Sequence, residues 1–191
     1  MKRALATLES ATPYSQSKFY DVERINDGKE SAQAYELRTW RFRMHTNEDG
    51  NVLIPPSQFK SCLAAAAKYN SRKIPGERNG TYTKNFKSGI QVIKPLVLPD
   101  KVEKVPFEDV LCSSNGVPGG GSKVIKRFGL VQSWKGTVEF LIADEKITSD
   151  IFSQYLREAG QFIGIGRYRP QNGGFLGTFI LKELDWADYV I

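Results

Sequence analysis

The segment GQFIGIGRYRPQNGGFLGTF, residues 160–179, constrains the fold most, because glycine occupies six of its twenty positions. Before it, residues 147–159 place apolar side chains at helical spacing, and Gly160 suits the position after the last turn of that helix. Its last residues and those that follow, 174–186, are rich in β-branched and aromatic side chains, which predicts a strand. The glycine-rich segment is therefore expected to connect a helix to a strand.

Two explanations of this segment compete. Glycine lets another backbone or a phosphate come close, because no Cβ stands in the way. The segment also carries arginines, and backbone N–H groups combined with guanidiniums suit phosphate oxygens. The alternative is a structural turn whose arginines are solvated. Under the first explanation, the candidate phosphate contacts are Gly164, Gly166, Arg167 and Arg169.

The composition is that of a folded chain with a mild excess of positive charge. Lysine and arginine number 27 against 21 acidic residues, a net charge of +6 that admits a polyanionic partner. One histidine and two cysteines argue against a zinc site and a disulfide framework, and no cofactor is expected. Without a membrane-length apolar run or a signal-peptide pattern, we expect no membrane partner and a cytoplasmic location.

Patterning along the chain predicts a βαββαβ order. A helix is predicted for IPPSQFKSCLAAAAKYN, with Ser57 as its N-cap. Strands are predicted at 3–10, 34–46, 90–98 and 134–143. The length suggests one domain over residues 1–191, with an irregular, basic, glycine-rich insertion at about 99–133. These elements predict an α+β, ferredoxin-like (RRM-like) antiparallel sheet with two helices and an extra early strand.

Several basic residues outside the glycine-rich segment are further candidates. Alternation in the predicted strand 34–46 places Arg41, Arg43 and His45 on one face, which is either a solvated surface or a basic sheet face for single-stranded RNA. Lys60 follows a helix N-terminus, which itself favours anions. The default for each of these residues is a solvated side chain. The remaining candidate contacts are Arg72, Lys73, Lys84, Lys87, Lys126 and Arg127.

Two motifs resemble the RAMP superfamily, which includes CRISPR RNA-binding backbone subunits, capping subunits and repeat-processing nucleases. VLIPPSQFKSCLAAAAK resembles the segment where an Ile-Pro turn leads into the first helix, often I-P-x-S-x-L-K-G. GIGRYRPQNGG resembles the loop between the second helix and the last strand, also in small stand-alone proteins of phages and mobile elements. The matching positions are Ile54, Pro55, Ser57 and Lys60, with Phe59 and Ser61 in place of leucine and glycine.

The resemblance implies binding of single-stranded nucleic acid, RNA first, through backbone phosphates and largely without sequence preference. The implied partners are copies of the chain or CRISPR effector subunits, and the insertion at 99–133 would be a thumb-like arm. One alternative is a mobile-element protein that mimics a backbone subunit and blocks effector assembly, an anti-CRISPR. Another is a RAMP-type endoribonuclease, for which His45 and Asp49 are the candidates. With one histidine and no second acid–base partner, we expect no enzyme.

Overall fold

The computed structural model describes residues 1–25, 28–114 and 120–189 and confirms the predicted α+β class. Residues 115–119, within the predicted glycine-rich insertion, lie outside the described residues. The strands are β1 Lys2–Ser10, β2 Tyr14–Ser15, β3 Asn51–Ile54, β4 Ile90–Val92, β5 Leu96–Lys101, β6 Phe107–Ser113, β7 Lys123–Val131, β8 Lys135–Ile142 and β9 Phe179–Asp188. The helices are α1 Ala32–Thr39, α2 Pro56–Asn70, α3 Thr83–Ser88 and α4 Ser149–Glu158.

Four strands form a central antiparallel sheet in the order β4-β8-β1-β9. Alternation along β1 and β8 turns their small and apolar side chains to one face, where α2 and α4 cover them. Phe152 of α4 meets Phe140 of β8 with ring centroids 5.2 Å apart, and Phe59 of α2 meets Phe179 of β9 at 6.3 Å. The core therefore lies between one face of this sheet and the two helices.

The helix predicted from the alanine-rich segment is present as α2, and its buried stripe includes Phe59, Cys62 and Leu63. Ser57 is not its N-cap, because Pro55 takes that position and Pro56 begins the helix. Proline suits the first helical position, since the N–H it lacks would have no partner within the helix.

The predicted strand at 34–46 is wrong. Residues 32–39 form α1, and a 3-10 turn follows at Trp40–Arg43. Ser31 starts the helix, because its hydroxyl accepts a hydrogen bond from the N–H of Ala34 at 3.1 Å. The buried side chains are spaced by three or four residues rather than two, so they line a helical face. They are Glu36, Thr39, Trp40 and Arg43.

Two other segments depart from the prediction. The strand predicted at 90–98 is divided at Pro95, so that β4 joins the central sheet while β5 pairs with β3. Proline cannot donate a hydrogen bond to a strand ladder, which explains the division at Pro95.

The insertion predicted to be irregular contains a regular hairpin of β6 and β7, here called the arm, with register from Phe107↔Gly129 to Ser113↔Lys123.

The connection after α4 also differs from the prediction. Gly160 does not end the helix but lies within a π-helical turn, Ala159–Ile163, that continues it. Gly164, with φ at 71°, ends this turn. Within residues 1–25, 28–114 and 120–189, no helix is both long and apolar enough to cross a membrane.

Candidate nucleic-acid interface

The glycine-rich loop, residues 164–178, packs its backbone against itself and against the segment after β1. At Gly166, with φ at 77°, a Cβ would lie 2.2 Å from the carbonyl oxygen of Ser15. At Gly177, with φ at 72°, a Cβ would lie 1.9 Å from the carbonyl oxygen of Ile165. Both positions therefore require glycine for contacts inside the protein. This favours the structural explanation for the glycines, and phosphate contact at Gly164 and Gly166 stays a prediction.

Hydrogen bonds fix the loop in this shape. The N–H of Ile165 donates to Gly177 at 2.9 Å, and the N–H of Arg167 donates to Ser15 at 2.8 Å. The N–H of Leu176 donates to the carbonyl of Tyr168 at 3.0 Å. These backbone donors are occupied by protein acceptors, so the loop's side chains are its better candidates for ligand contacts.

Arg167 joins the loop to the arm. Its guanidinium pairs with the carboxylate of Glu108 on β6 and lies 4.0 Å from the ring centroid of Phe128 on β7. Its Nε is 3.3 Å from the hydroxyl of Ser15. Only 18% of the Arg167 side chain is exposed. This arginine therefore acts mainly as a structural contact between elements.

Arg169 has different surroundings. It donates to the carbonyl of Gly166 at 2.9 Å and to the side chain of Gln171 at 3.0 Å. No carboxylate among the described residues lies within ion-pair distance of it. Its positive charge is therefore not neutralised by a neighbour in the described part of the chain.

Arg169 lines a small pocket, here called the α2 pocket, of about 170 Å³. Ser57 and Ser61, one turn apart on α2, also line it. The pocket lies at the N-terminal end of α2, where the helix dipole favours negative charge and where Pro55 has no side chain to cap the helix. Two hydroxyls, a guanidinium and a helix N-terminus together suit an anion of about the size of a phosphate.

Two other side chains at the α2 pocket have structural roles. Gln58 accepts a hydrogen bond from the buried Tyr14 hydroxyl at 2.9 Å. Burial raises the pKa of the Cys62 thiol to about 12, and its Sγ lies 3.3 Å from the carbonyl oxygen of Ala159. Cys62 is therefore protonated at neutral pH and is a core residue rather than a nucleophile.

The basic sheet face predicted for Arg41, Arg43 and His45 does not exist, because these residues do not form a strand. Arg43 is buried against Glu36, with Nη2 and Oε2 2.9 Å apart. The pair also provides hydrogen-bond partners for the edge of β7. Glu36 accepts a hydrogen bond from the N–H of Arg127, and Arg43 donates to the carbonyl of Arg127. Arg41 is exposed and lies over the Trp40 ring at 4.4 Å.

The uncovered face of the central sheet is not a basic surface either. Arg3 and Glu139 lie across it with Nε and Oε1 2.8 Å apart, and Lys182 and Glu9 lie 3.9 Å apart. Opposite charges therefore alternate along this face among the described residues. Such a surface does not attract a polyanion as a basic face would.

The other predicted basic contacts are spread over the molecule. Lys60 donates to the carbonyl of Ile90, Arg72 pairs with Glu158, and Arg127 pairs with Asp109 at 2.8 Å. Three exposed lysines belong to the segment between α2 and β4: Lys73, Lys84 and Lys87. This segment starts at the far end of the 15-residue helix, which is about 22 Å long, and returns beside it, since the Thr83 hydroxyl donates to the carbonyl of Ala67.

Lys126 lines a second groove, of about 610 Å³, between α1 and the arm. Tyr20 and Tyr35 stack in it with centroids 6.5 Å apart, and Arg24 lies 5.2 Å from the Tyr35 ring. Sequence analysis did not single out these aromatic residues, because the helix that positions Tyr35 was mistaken for a strand. It also missed Ser61 as a site residue, although a hydroxyl one turn after Ser57 was visible in the sequence.

The two candidate catalytic residues lie near the turn before β3. Burial and the charge of Lys18 lower the pKa of the half-buried His45. Asp49 lies in the turn closed by the bridge between Thr46 and Val52. Within the described ranges, no three histidine, cysteine or acidic side chains are grouped as a metal would require.

Comparison with known proteins finds similarity in structure but not in sequence. In sequence, the chain matches no family model and no curated protein. In structure, it is similar to the crystal structure of Cmr6 from Pyrococcus furiosus, with a TM-score of 0.47 and 13% sequence identity. That similarity covers 95% of this chain and 99% of the other.

Proposed function

We propose that the protein binds single-stranded nucleic acid, RNA in the first place, through its phosphate backbone. The observation that carries the proposal is the α2 pocket, where Ser57, Ser61 and Arg169 meet at a helix N-terminus. Phosphate oxygens bind well to hydroxyls, guanidiniums and helix N-termini, and such contacts do not depend on base sequence. The net charge of +6 adds a general attraction for a polyanion.

We also propose that the chain has a ferredoxin-like core of the RAMP type. Its central elements follow the order β1, α2, β4, β8, α4 and β9, which is the βαββαβ order expected from the sequence. Both helices lie on one face of the antiparallel sheet. The N-terminal end of α2 and the loop before β9 then meet at the α2 pocket, the two places where the RAMP-like motifs occur.

The protein would act with copies of itself or within a CRISPR-type ribonucleoprotein, and not as an enzyme. If it instead mimics a backbone subunit, it should block assembly of an effector without binding RNA itself. If it is an endoribonuclease, it should cleave RNA, and the cleavage should be lost in His45→Ala or Asp49→Ala. We expect no cleavage with or without Mg²⁺ or Mn²⁺.

The direct test compares Arg169→Gln with Lys84→Gln. Each removes one positive charge, but Lys84 lies at the start of α3, next to Thr83, whose hydroxyl donates to the carbonyl of Ala67, about 15 Å along α2 from Ser57. Loss of a charge-assisted phosphate contact of about 1.5–3 kcal/mol should weaken binding of a short single-stranded RNA by roughly 10- to 100-fold in Arg169→Gln. Lys84→Gln should change affinity only slightly. Equal effects in the two variants, or no RNA binding by the wild type at low salt, would contradict the proposal.

A further inference from the structure

We infer that Tyr168 and Phe175 form a stacking platform for a nucleobase beside the α2 pocket. The inference rests on the proposed function, because it assigns the base-contacting part of the same interface. Neither aromatic residue was among the predicted contacts. Both lie in the glycine-rich loop, and Tyr168 stands between the two arginines of the RYR sequence.

The two rings are exposed although they belong to an ordered loop. Tyr168 is 46% exposed and Phe175 is 63% exposed. Their ring centroids lie 5.4 Å apart at an interplanar angle of 77°, an edge-to-face arrangement. The pair therefore presents aromatic surface to solvent in a fixed geometry, which is the form of a stacking site rather than of a core contact.

The backbone holds Tyr168 in a conformation that a tyrosine seldom adopts. Its φ is 54°, in the left-handed region, where a bulky side chain costs on the order of 1–2 kcal/mol. Hydrogen bonds from the N–H of Leu176 to Tyr168 and from the N–H of Gly174 to Arg169 maintain the turn. The ring gains little burial in return for this strain, and strain at an exposed side chain supports a functional constraint on the ring's position.

The surroundings of the pair favour a base over a protein partner. The residues between the two rings in the chain include the exposed and polar Gln171 and Asn172. A stable protein interface needs about 800 Å² on each partner, whereas one base needs only a ring face. Arg169, next to Tyr168, lines the α2 pocket, so a phosphate and a base would meet adjacent side chains.

Stacking also fits the expected lack of sequence preference. Every base has a π face, so an aromatic platform binds any of the four without reading its hydrogen-bonding edge. The phosphate contact and the stacking contact together would therefore fix the strand without selecting a sequence.

The test uses Tyr168→Asn, because asparagine tolerates the left-handed region far better than tyrosine. This variant removes the ring and relieves the strain, so we expect a melting temperature equal to or above that of the wild type. Affinity for a short oligoadenylate should nevertheless fall by about five- to a hundredfold, the range for loss of one stacked base. Phe175→Leu should weaken binding in the same direction.

Tyr69→Leu is the matched control. Tyr69 is also exposed, and it stacks on Phe162 with centroids 6.2 Å apart. It lies near the C-terminal end of α2, about 18 Å along the helix from Ser57. Its replacement should leave RNA affinity unchanged. An effect as large as that of Tyr168→Asn would overturn the assignment of a local platform.

A second ligand separates stacking from phosphate binding. An abasic oligonucleotide of the same length keeps the phosphates and lacks the bases. We expect Tyr168→Asn to leave its affinity unchanged, whereas Arg169→Gln should weaken binding of both ligands. If Arg169→Gln weakens binding and Tyr168→Asn does not, the inference fails and the proposed function stands. If Tyr168→Asn reduces self-association but not RNA affinity, the rings contact protein and the inference is overturned.

Discussion

At the scale of single residues, Arg167 and Arg169 have opposite roles although they differ by two positions. Arg167 pairs with Glu108 and covers the Phe128 ring, whereas Arg169 has no carboxylate partner among the described residues. Both arginines were predicted as phosphate contacts, because the RYR sequence does not indicate which arginine pairs with an acidic residue of a distant strand. The structure separates a stabilising arginine from a candidate ligand contact.

We predict that Arg167→Ala destabilises the protein. The change leaves Glu108 without its partner and uncovers Phe128, so we expect a loss of about 1–2 kcal/mol in the free energy of unfolding, allowing for partial exposure of the pair. Denaturant unfolding measures the loss. Arg169→Ala should reduce the free energy of unfolding by less, because Arg169 forms no ion pair among the described residues. Equal stability of the Arg167→Ala variant and the wild type would contradict the role of Arg167 in joining the loop to the arm.

His45 should make stability depend on pH. Burial and Lys18 lower its pKa in the folded state, so below pH 6.5 the unfolded state binds the proton more readily and the folded state loses stability. Because His45 is the only histidine, the range from pH 7 to 5.5 isolates its effect. We expect the free energy of unfolding to fall less over this range in His45→Gln than in the wild type. Identical slopes in the two proteins would show that His45 is not perturbed.

At the scale of elements, the parts predicted correctly are those in which apolar side chains recur at the period of the element. The alternation of β1 and β8 and the apolar stripe of α2 each repeat at the spacing of their element, so their positions were correct. The helix α1 and the 3-10 turn after it were missed because their buried side chains include Glu36 and Arg43, which a search for apolar periodicity counts as polar. Their burial depends on β7, a strand more than 80 residues away.

The candidate site was predictable only in part. The loop and the start of α2 were both singled out, but their meeting at the α2 pocket follows from how α4 and β9 pack. The sequence left phosphate contact and a structural turn both open for the glycines, and the structure favours the turn, because Gly166 and Gly177 approach the carbonyl oxygens of Ser15 and Ile165. Close contacts between distant backbone segments leave no periodic signal in a sequence, so this explanation required the structure.

Two glycine substitutions test the loop as an element. Gly177→Ala places a Cβ 1.9 Å from the backbone oxygen of Ile165, and it should destabilise the protein by about 3 kcal/mol or more. Gly173→Ala has a similar φ, 76°, but no atom lies within 4 Å of its Cβ among the described residues. The Gly173→Ala variant should lose only about 1 kcal/mol of stability, because only the conformational cost of the left-handed φ applies to it. Equal melting temperatures for the two variants would contradict the close packing of the loop.

At the scale of the whole molecule, the arm has no part in the RNA contacts proposed for a single subunit. Its ladder extends to the hydrogen bond between Ser114 and Ser122, 2.8 Å long. Replacing residues 115–121 by Asn-Gly would close the hairpin with a two-residue turn and should keep the fold. If the arm reaches a neighbouring copy, affinity for long RNA should fall while affinity for a very short RNA stays the same. Equal losses on both would place the arm at the RNA of its own subunit, and no loss on either would remove the support for assembly.

The central claim is that backbone phosphates bind at the α2 pocket, and the dependence of affinity on salt measures it most directly. Affinity of the wild type for a short single-stranded RNA should fall linearly in a plot of log K against log salt concentration. Each phosphate contact contributes about 0.7 to the slope, so Arg169→Gln should flatten the line by about that amount while Lys84→Gln leaves it nearly unchanged. A wild-type affinity indifferent to salt, or the same slope in wild type and Arg169→Gln, would contradict the account.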